Sequence, residues 1–190
     1  MKNELQKMNY IIFDLEATCW DGWDKSQNET IEIGAVLINE NKEIVSEFSE
    51  FIKPLKYPIL SEFCKNLTSI QQCDVDSAKY FSEVIEDFKK WITQNGNDYV
   101  LCSWGFYDRK QFESDCQVHD LDDNWVKKHI SLKHQYGKFK KLKRAIGMKN
   151  ALINEGIELE GTHHRGIHDA RNISKIFIKY FQKWNFKYEE

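Results

Sequence analysis

The fold is decided by the stretch Ile11-Ile12-Phe13-Asp14-Leu15-Glu16-Ala17-Thr18, in which an apolar run with strand character ends in two acids one residue apart. Side chains alternate across a strand, so Asp14 and Glu16 share one face and Leu15 lies on the other. Two carboxylates on one face, roughly 6–7 Å apart by strand rise, repel each other and favour a cation between them. Such oxygen ligands suit hard cations, Mg²⁺ or Mn²⁺. An isolated pair of this kind is also typical of a solvated strand end.

A further acid, Asp108, ends a second short apolar run, Tyr99-Val100-Leu101-Cys102-Ser103-Trp104-Gly105-Phe106-Tyr107-Asp108. The run has strand character, passes through a glycine-containing turn and precedes a helical pattern. Taken alone, Asp108 is more typical of an acid that complements the dipole at a helix N-terminus.

The third block is Gly161-Thr162-His163-His164-Arg165-Gly166-Ile167-His168-Asp169-Ala170-Arg171-Asn172-Ile173. His164 stands five residues before Asp169, which is predicted to open an amphipathic helix and could by itself be a capping acid. A histidine in a glycine-flanked loop beside carboxylates is a candidate general base, because its ordinary pKa of about 6.5 lets it accept a proton near neutral pH. His163 and His168 are alternatives, and only the five-residue spacing to Asp169 favours His164.

The ordered set Asp14-x-Glu16, Asp108 and His164-x-x-x-x-Asp169 resembles the DEDD superfamily of 3′→5′ exonucleases, in its histidine subtype (DEDDh). Residues 13–20, 31–36 and 60–70 resemble the histone-mRNA and small-RNA branch and the bacterial sporulation-inhibitor exonucleases known as KapD. The resemblance spans about residues 9–184, and no motif residue is missing. It implies an α/β fold of the ribonuclease H-like type, with a central mixed sheet, antiparallel first three strands and flanking helices.

The resemblance also implies two divalent metal ions, Mg²⁺ or Mn²⁺. Asp14, Glu16 and Asp169 would hold the ion that binds the attacking water, and Asp14 would bridge to the second ion. Asp108 would act directly or through coordinated water, and His164 would remove the proton of the attacking water.

Contacts to the terminal nucleotide follow from the same resemblance. The backbone of Ala17 and Thr18 would meet the terminal sugar, and Tyr107 would stack on a base. Trp20 and Phe106 are further aromatic candidates, since every base has a face on which a ring can stack. Packing in the core is at least as compatible with each of these rings, and it is the favoured interpretation for Phe106.

Composition is typical of a compact enzyme: of 190 residues, 41% are apolar and 30% charged, enough for one domain with a sizeable core. We predict a single exonuclease domain at 9–184, an N-terminal extension at 1–8 and a C-terminal tail at 185–190. The N-terminus lacks a continuous apolar segment, so neither a signal peptide nor a membrane span is expected. Five cysteines without a Cys-x-x-Cys pair predict reduced thiols and a cytoplasmic location.

Charge is distributed unevenly along the chain. The net charge of −3 does not suit a protein that grips duplex backbone over a broad surface. Residues 124–154 nevertheless contain nine Lys and Arg and no acid, which leaves −12 for the rest. This segment predicts a basic wall beside the site that contacts successive phosphates of a bound strand. A solvated helical face is equally compatible with the pattern.

Hydrophobic periodicity predicts strands at 9–16, 30–38, 44–52 and 99–103, and helices at 78–94, 108–117 and 169–183. The third strand is expected to place Ile44, Phe48 and Phe51 at apolar positions. The segment 118–162 mixes short helices and loops.

Together these features predict a metal-dependent 3′→5′ exonuclease that hydrolyses single-stranded RNA from a free 3′-hydroxyl to nucleoside 5′-monophosphates. One alternative is a DNA-directed exonuclease of the same fold, of the proofreading type. A second is a regulatory or sporulation-type nucleic-acid-binding protein that acts through a partner. Cleavage of a labelled oligonucleotide with Mn²⁺ separates an enzyme from this second alternative.

Overall fold

Six strands form one mixed sheet in the computed structural model, which describes residues 8–22, 27–94 and 98–187. The strands are β1 (Met8–Ala17), β2 (Thr30–Ile38), β3 (Ile44–Lys53), β4 (Lys79–Tyr80), β5 (Asp98–Ser103) and β6 (His129–Ser131). Their order is β4-β3-β2-β1-β5-β6. β1, β2 and β3 are antiparallel neighbours, whereas β5 runs parallel to β1 and β6 parallel to β5. The predicted mixed sheet with three antiparallel first strands is therefore confirmed.

Seven α-helices flank the sheet in the described part of the chain. They are α1 (Glu62–Thr68), α2 (Gln72–Asp76), α3 (Phe81–Ile92), α4 (Tyr107–Val118), α5 (Leu132–Phe139), α6 (Met148–Glu155) and α7 (Gly166–Lys179). Short 3₁₀ helices cover Asn124–Val126 and Phe181–Lys183. The helix predicted at 78–94 begins later, at Phe81, because Lys79 and Tyr80 pair with the end of β3.

The two faces of the sheet carry separate cores, as the alternation along β1 predicts. Ile11, Phe13 and Leu15 pack with residues of α3 and α4 on one face. Tyr10 and Ile12 pack with α5, α6 and α7 on the other. Asp14 and Glu16 continue the second series, so β1 directs both acids toward α7.

The third strand, β3, packs less of its surface than predicted. Phe48 does contact Phe88 and Trp91 on α3, with ring centroids 5.2 and 5.6 Å apart. Ile44, in contrast, is 53% exposed. The predicted buried position at Ile44 was therefore wrong, and the neighbouring Val45 is exposed as well.

The last helix begins three residues earlier than predicted, so Asp169 lies in the first turn of α7 and does not open it. The cause is the Glu32 carboxylate on β2, which accepts a hydrogen bond from Gly166 N–H at 2.9 Å. An acceptor supplied by another strand satisfies an amide that a helix leaves unpaired at its N-terminus. No residue near Gly166 in the sequence could have indicated it.

Residues near both chain ends belong to the packed structure. Met8 already begins β1, and residues 1–7 of the predicted extension lie outside the described residues. Phe186 packs on Tyr10 with ring centroids 4.6 Å apart, and Asn185 N–H donates to Gln135 Oε1 at 2.7 Å. Residues 188–190 of the predicted tail lie outside the described residues. Among the helices described, none combines the length and the apolar character needed to cross a membrane.

A backbone contact between Gly34 and Gly166 brings α7 onto the sheet. A Cβ atom at Gly34 would lie 1.9 Å from Ile167 N and 2.0 Å from Gly166 C. A Cβ atom at Gly166 would lie 3.0 Å from Asp14 O. The start of α7 thus lies directly against β1 and β2, and no side chain separates them.

We expect Gly34→Ala to lower the free energy of unfolding by at least about 1–3 kcal/mol, the cost of overpacking, because backbone atoms cannot move aside as a side chain would. Urea denaturation measures the change. Gly105→Ala is the control, since its Cβ would meet nothing closer than 3.9 Å and should shift the value by no more than about 0.5 kcal/mol. Equal effects of the two substitutions would contradict the contact.

Candidate active site

Three acids from distant parts of the chain meet at the end of β1. One carboxylate oxygen from each of Asp14, Glu16 and Asp169 lies within 4.8 Å of the others. β1 supplies the first two from the same strand face, and the first turn of α7 supplies the third. The predicted convergence of these acids is thus present in the fold.

Asp108 reaches the same place from the neighbouring strand. It lies in the first turn of α4, just after β5, which runs parallel to β1. Its Oδ1 accepts a hydrogen bond from Leu15 N–H at 3.3 Å, so the backbone of β1 orients it between the two motif acids. All four predicted acids line one cleft of about 840 Å³.

The crowding of these acids opposes their ionisation. Burial, followed by the charges of Asp108 and Glu16, raises the pKa of Asp14 well above its ordinary value. Burial and the nearby charge of Asp169 raise the pKa of Glu16 to about 9. Burial also raises the pKa of Asp108 to about 6, against the hydrogen bond from Leu15 N–H. Without a bound cation, these carboxyl groups are neutralised by protons. A bound cation would instead stabilise their negative charge.

The acids fit a hard divalent cation. Asp169 Oδ2 accepts hydrogen bonds from His163 Nδ1 at 2.8 Å and from His164 N–H at 3.0 Å. Among the described residues, no group donates a hydrogen bond to its buried Oδ1, which is costly for a carboxylate oxygen unless a cation binds it. Oxygen donors from Asp14 and Glu16 lie beside it. This donor set suits Mg²⁺ or Mn²⁺.

His164 lines the cleft at the end of the loop before α7. Its φ of 65° lies in the left-handed region, a conformation that costs a non-glycine residue of the order of 1 kcal/mol or more. The ring stacks on His163, with centroids 4.0 Å apart. Burial, followed by the charge of His163, lowers the pKa of His164 below 6.5. Its imidazole is therefore neutral, and able to accept a proton, at neutral pH.

The alternative base His168 lies away from the cleft lining. Its Nδ1 accepts a hydrogen bond from Thr162 N–H at 3.0 Å, and its ring lies where a side chain at Gly161 would be, 2.6 Å from a Cβ built there. Asn172 adds two hydrogen bonds to the backbone of Glu160. These contacts give His168 a role in shaping the loop that carries His164.

A fifth buried acid, Glu32, was not predicted as part of the site. It lies opposite Glu16 in the register of β1 and β2 and is 1% exposed. Arg165 donates to both of its oxygens, from Nε at 3.1 Å and from a terminal nitrogen at 3.2 Å, and Gly166 N–H donates at 2.9 Å. A bidentate guanidinium satisfies this carboxylate, and in return Glu32 fixes the residue that follows His164.

Some of the residues after the Asp-x-Glu motif line the cleft, and others support the residues that do. Ala17 and Trp20 line the cleft, whereas Thr18 does not. Thr18 is 1% exposed because its N–H donates to Glu29 O at 2.8 Å and its hydroxyl accepts from Glu29 N–H at 2.9 Å. The Glu29 carboxylate in turn accepts from Tyr57 N–H at 2.8 Å, and the Tyr57 ring contacts Trp20 edge-on at 5.1 Å.

Tyr107 is the aromatic residue best placed to meet a substrate. It is 40% exposed in the cleft, and its hydroxyl accepts from Asn28 Nδ2 at 3.3 Å and donates to Gln111 Oε1 at 3.2 Å. Gln111 Nε2 donates to the buried Asp115 at 3.1 Å. Phe106 was expected in the core, but it is 44% exposed and packs on His134, because the tight turn before α4 directs it outward.

The lining of the cleft is apolar in one part and positively charged in another. Phe63 and Leu67, one turn apart on α1, expose apolar surface to it. Lys133 and Lys149 contribute positive charge from α5 and α6. Among the other basic residues of 124–154, Lys140 instead pairs with the buried Glu155 at 2.8 Å. The predicted basic wall thus reaches the cleft through two lysines.

Comparison with known proteins identifies the family. A family described as exonuclease matches residues 11–177. The chain belongs to this exonuclease family. The solved nuclease domain of 3′hExo, a DEDDh family member bound to rAMP, covers 100% of this chain and 99% of its own chain, with TM-score 0.87 and 28% identity. The predicted DEDDh group and ribonuclease H-like fold are confirmed.

Curated relatives agree with this assignment. The "3'-5' exonuclease eri1" of Schizosaccharomyces pombe is 31% identical over 201 residues, which cover 89% of this chain and 66% of the yeast protein. "ERI1 exoribonuclease 2" of Xenopus laevis is 32% identical over 196 residues, 87% of this chain. The match spans only 27% of the length of the frog protein. A structure of a 3'-exonuclease in "3'-end specific recognition of histone mRNA stem-loop" shares 30% identity and a TM-score of 0.84, over 93% and 82% of the two chains.

We expect the protein, with metal removed by a chelator, to lose stability as the pH rises from about 5 to about 8. Glu16 has an ordinary pKa of 4.5 but about 9 in the folded chain, so the folded state retains a proton that the unfolded state releases. The stability that this proton contributes is fully present below the ordinary pKa of Glu16. It is lost as the pH rises toward the pKa of Glu16 in the folded chain.

Urea denaturation at several pH values measures this loss. Asp14→Asn removes one of the repelling groups, so it should fold, be more stable than the chelated wild type at the higher pH, and show a flatter pH dependence. Mg²⁺ should also flatten the wild-type curve. Identical pH dependence in wild type and Asp14→Asn would contradict the electrostatic account.

Proposed function

We propose that this exonuclease hydrolyses single-stranded RNA from a free 3′-hydroxyl and releases nucleoside 5′-monophosphates. The observation that carries the proposal is the meeting of Asp14, Glu16 and Asp169 within 4.8 Å, beside His164 in one cleft. The relatives named as exoribonucleases support RNA as the substrate.

We assign metal binding to the four acids. Asp14, Glu16 and Asp169 would hold one divalent ion, Asp14 would also reach a second, and Asp108 would complete the set. Two such ions, when bound, stabilise the attacking and leaving oxygens of a phosphodiester displacement. We propose Mg²⁺ or Mn²⁺, because every donor in this set is an oxygen.

His164 is proposed as the general base. A lowered pKa keeps its imidazole neutral at physiological pH, so it can take a proton from the attacking water. His163 donates to Asp169 and stacks on His164, and we assign it to positioning. Arg165 and Glu32 would hold the strained loop in the conformation that aims His164 into the cleft.

The terminal nucleotide is proposed to bind between β1 and α4. Ala17 would meet the sugar, Tyr107 would stack on a base, and Trp20 offers a second ring. Thr18 is assigned to support, since Glu29 engages its backbone and its hydroxyl. Lys133 and Lys149, which line the cleft, would neutralise phosphates of the bound strand.

We further propose that the predicted domain at 9–184, extended by Met8 and by the packed residues Asn185 and Phe186, acts as one exonuclease domain in the cytoplasm. The five cysteines, all within described parts of the chain, form no disulfide, as expected of a reducing compartment. A DNA-directed exonuclease of the same fold is the second candidate activity. The acids and His164 would serve either polymer, so strands of both kinds belong in every assay.

His164→Ala should lower the hydrolysis rate by about 10²-fold or more, the usual loss when a general base is removed. In the wild type, the logarithm of the rate should rise with slope near one up to the pKa of His164, below 6.5, and then level off. Steady-state rates across pH measure both effects. His168→Ala, which removes the hydrogen bond that Thr162 N–H donates in the loop before α7, is the comparison and should lower the rate much less than His164→Ala. If His164→Ala were tolerated and His168→Ala were damaging, the role of general base would belong to His168.

A 5′-labelled single strand of RNA should shorten one nucleotide at a time, whereas a blunt duplex should react slowly because opening a terminal pair costs a few kcal/mol. Tyr107→Ala should weaken binding by about 1–3 kcal/mol, the worth of one stacked base. Phe106→Ala, at an exposed ring outside the cleft lining, is the control and should bind as wild type. Cutting within a circular strand, or equal rates on 3′-phosphorylated and 3′-hydroxyl ends, would contradict the proposed site.

A further inference from the structure

Two imidazoles and a carboxylate form a second candidate metal group at the edge of the cleft. One ligand atom from each of His163, His164 and Asp169 lies within 4.8 Å of the others. Both histidines line the cleft and are partly exposed, so an ion can reach them from solvent. Asp169 is the one residue that this group has in common with the acid cluster of Asp14, Glu16 and Asp169.

Nitrogen donors distinguish this group from the acid cluster. Mg²⁺ prefers oxygen ligands and binds imidazole weakly, whereas Zn²⁺ is commonly bound by two histidines and a carboxylate. A site that keeps three protein ligands leaves a fourth position for water. The donor set of His163, His164 and Asp169 therefore selects a borderline transition-metal ion over the ions suited to the acid cluster.

The geometry is close to what such an ion requires. His163 Nδ1 lies 2.8 Å from Asp169 Oδ2, and the stacked rings of His163 and His164 have centroids 4.0 Å apart. With metal–ligand bonds of about 2.0–2.1 Å, neighbouring ligand atoms of a tetrahedral site lie about 3.3 Å apart. Small side-chain rotations would suffice. The proton that His163 Nδ1 now donates to Asp169 would move to Nε2 or to solvent, leaving Nδ1 as a ligand.

We propose that His163, His164 and Asp169 bind Zn²⁺ and that this ion switches off hydrolysis. The inhibition rests on the proposed function, because it follows from His164 acting as the base. Zn²⁺ bound to the imidazole of His164 occupies the nitrogen lone pair that would accept a proton from water. It also engages Asp169, and so draws that carboxylate away from Asp14 and Glu16.

Binding is measured first, without reference to activity. The full chain, with excess Mg²⁺ present, is titrated with Zn²⁺ in a calorimeter, and Co²⁺ is used as a visible-absorption probe of imidazole ligation. We expect one Zn²⁺ per chain in the wild type and at least about ten-fold weaker binding in His163→Asn, since even outer-shell partners of a metal are worth that much. His119→Gln, at a histidine beyond the far end of α4, is the control and should bind Zn²⁺ as wild type.

Asp14→Asn locates the ion. It should leave Zn²⁺ affinity within a few-fold of wild type, because Asp14 does not belong to this group. Zn²⁺ binding that depends on Asp14 and not on His163 would place the ion in the acid cluster and overturn the proposal. So would the absence of saturable binding in the wild type.

Inhibition is measured second, as hydrolysis of single-stranded RNA relative to each variant's own rate without Zn²⁺. We expect His163→Asn to need at least about ten times more Zn²⁺ for half-inhibition, in step with its weaker binding. An unchanged half-inhibiting concentration would overturn the link between this site and the rate. If no hydrolysis occurs at all while Zn²⁺ still binds through His163, the metal site stands and the proposed function fails.

Discussion

Repulsion among buried carboxylates at the end of β1 is the constraint on which the rest of the structure depends. Strand alternation places Asp14 and Glu16 on one face, and the glycine contact between β2 and α7 brings Asp169 against them. Asp108, which follows β5, accepts a hydrogen bond from the backbone of β1. Separating such charges from water is costly unless they are protonated or neutralised. The packing that builds the two cores therefore also creates the need for cations.

The fold neutralises one acid internally and leaves the others available. Glu32 lies opposite Glu16, yet it receives a bidentate bond from Arg165 and a backbone amide from Gly166. That bond ties the charge of Glu32 to the loop before α7 and fixes the neighbour of His164. Asp169 Oδ1 receives no such partner from the part of the chain that the structure describes. Glu32 is satisfied by its hydrogen bonds, whereas the other acids at this end of the sheet are left available to bind cations. This difference makes the end of the sheet a candidate catalytic centre.

Local patterns in the sequence predicted the parts of the fold that local physics governs. The period of two in β1 placed Asp14 and Glu16 correctly, and the helical period predicted α3 with its buried face. Helix α1 was not predicted, since it buries only Cys64 and Thr68 while its larger apolar residues Phe63 and Leu67 are exposed. The role of Thr18 depended on Glu29, and contacts of this kind cannot be read from spacing. For the same reason Arg165 gave no signal, because its partner is 133 residues away.

Hydrolysis by this site depends on the acids binding divalent ions. The most direct test compares nucleotide release from a 5′-labelled single-stranded RNA by wild type and Asp14→Asn in Mg²⁺, with both proteins verified as folded. Asp87→Asn, at an exposed aspartate on α3 paired with Lys79, is the matched control. The account predicts that chelation abolishes wild-type release, that Asp14→Asn retains only a small fraction of it, and that Asp87→Asn keeps it. A folded Asp14→Asn that releases nucleotides at a rate near wild type would contradict the account.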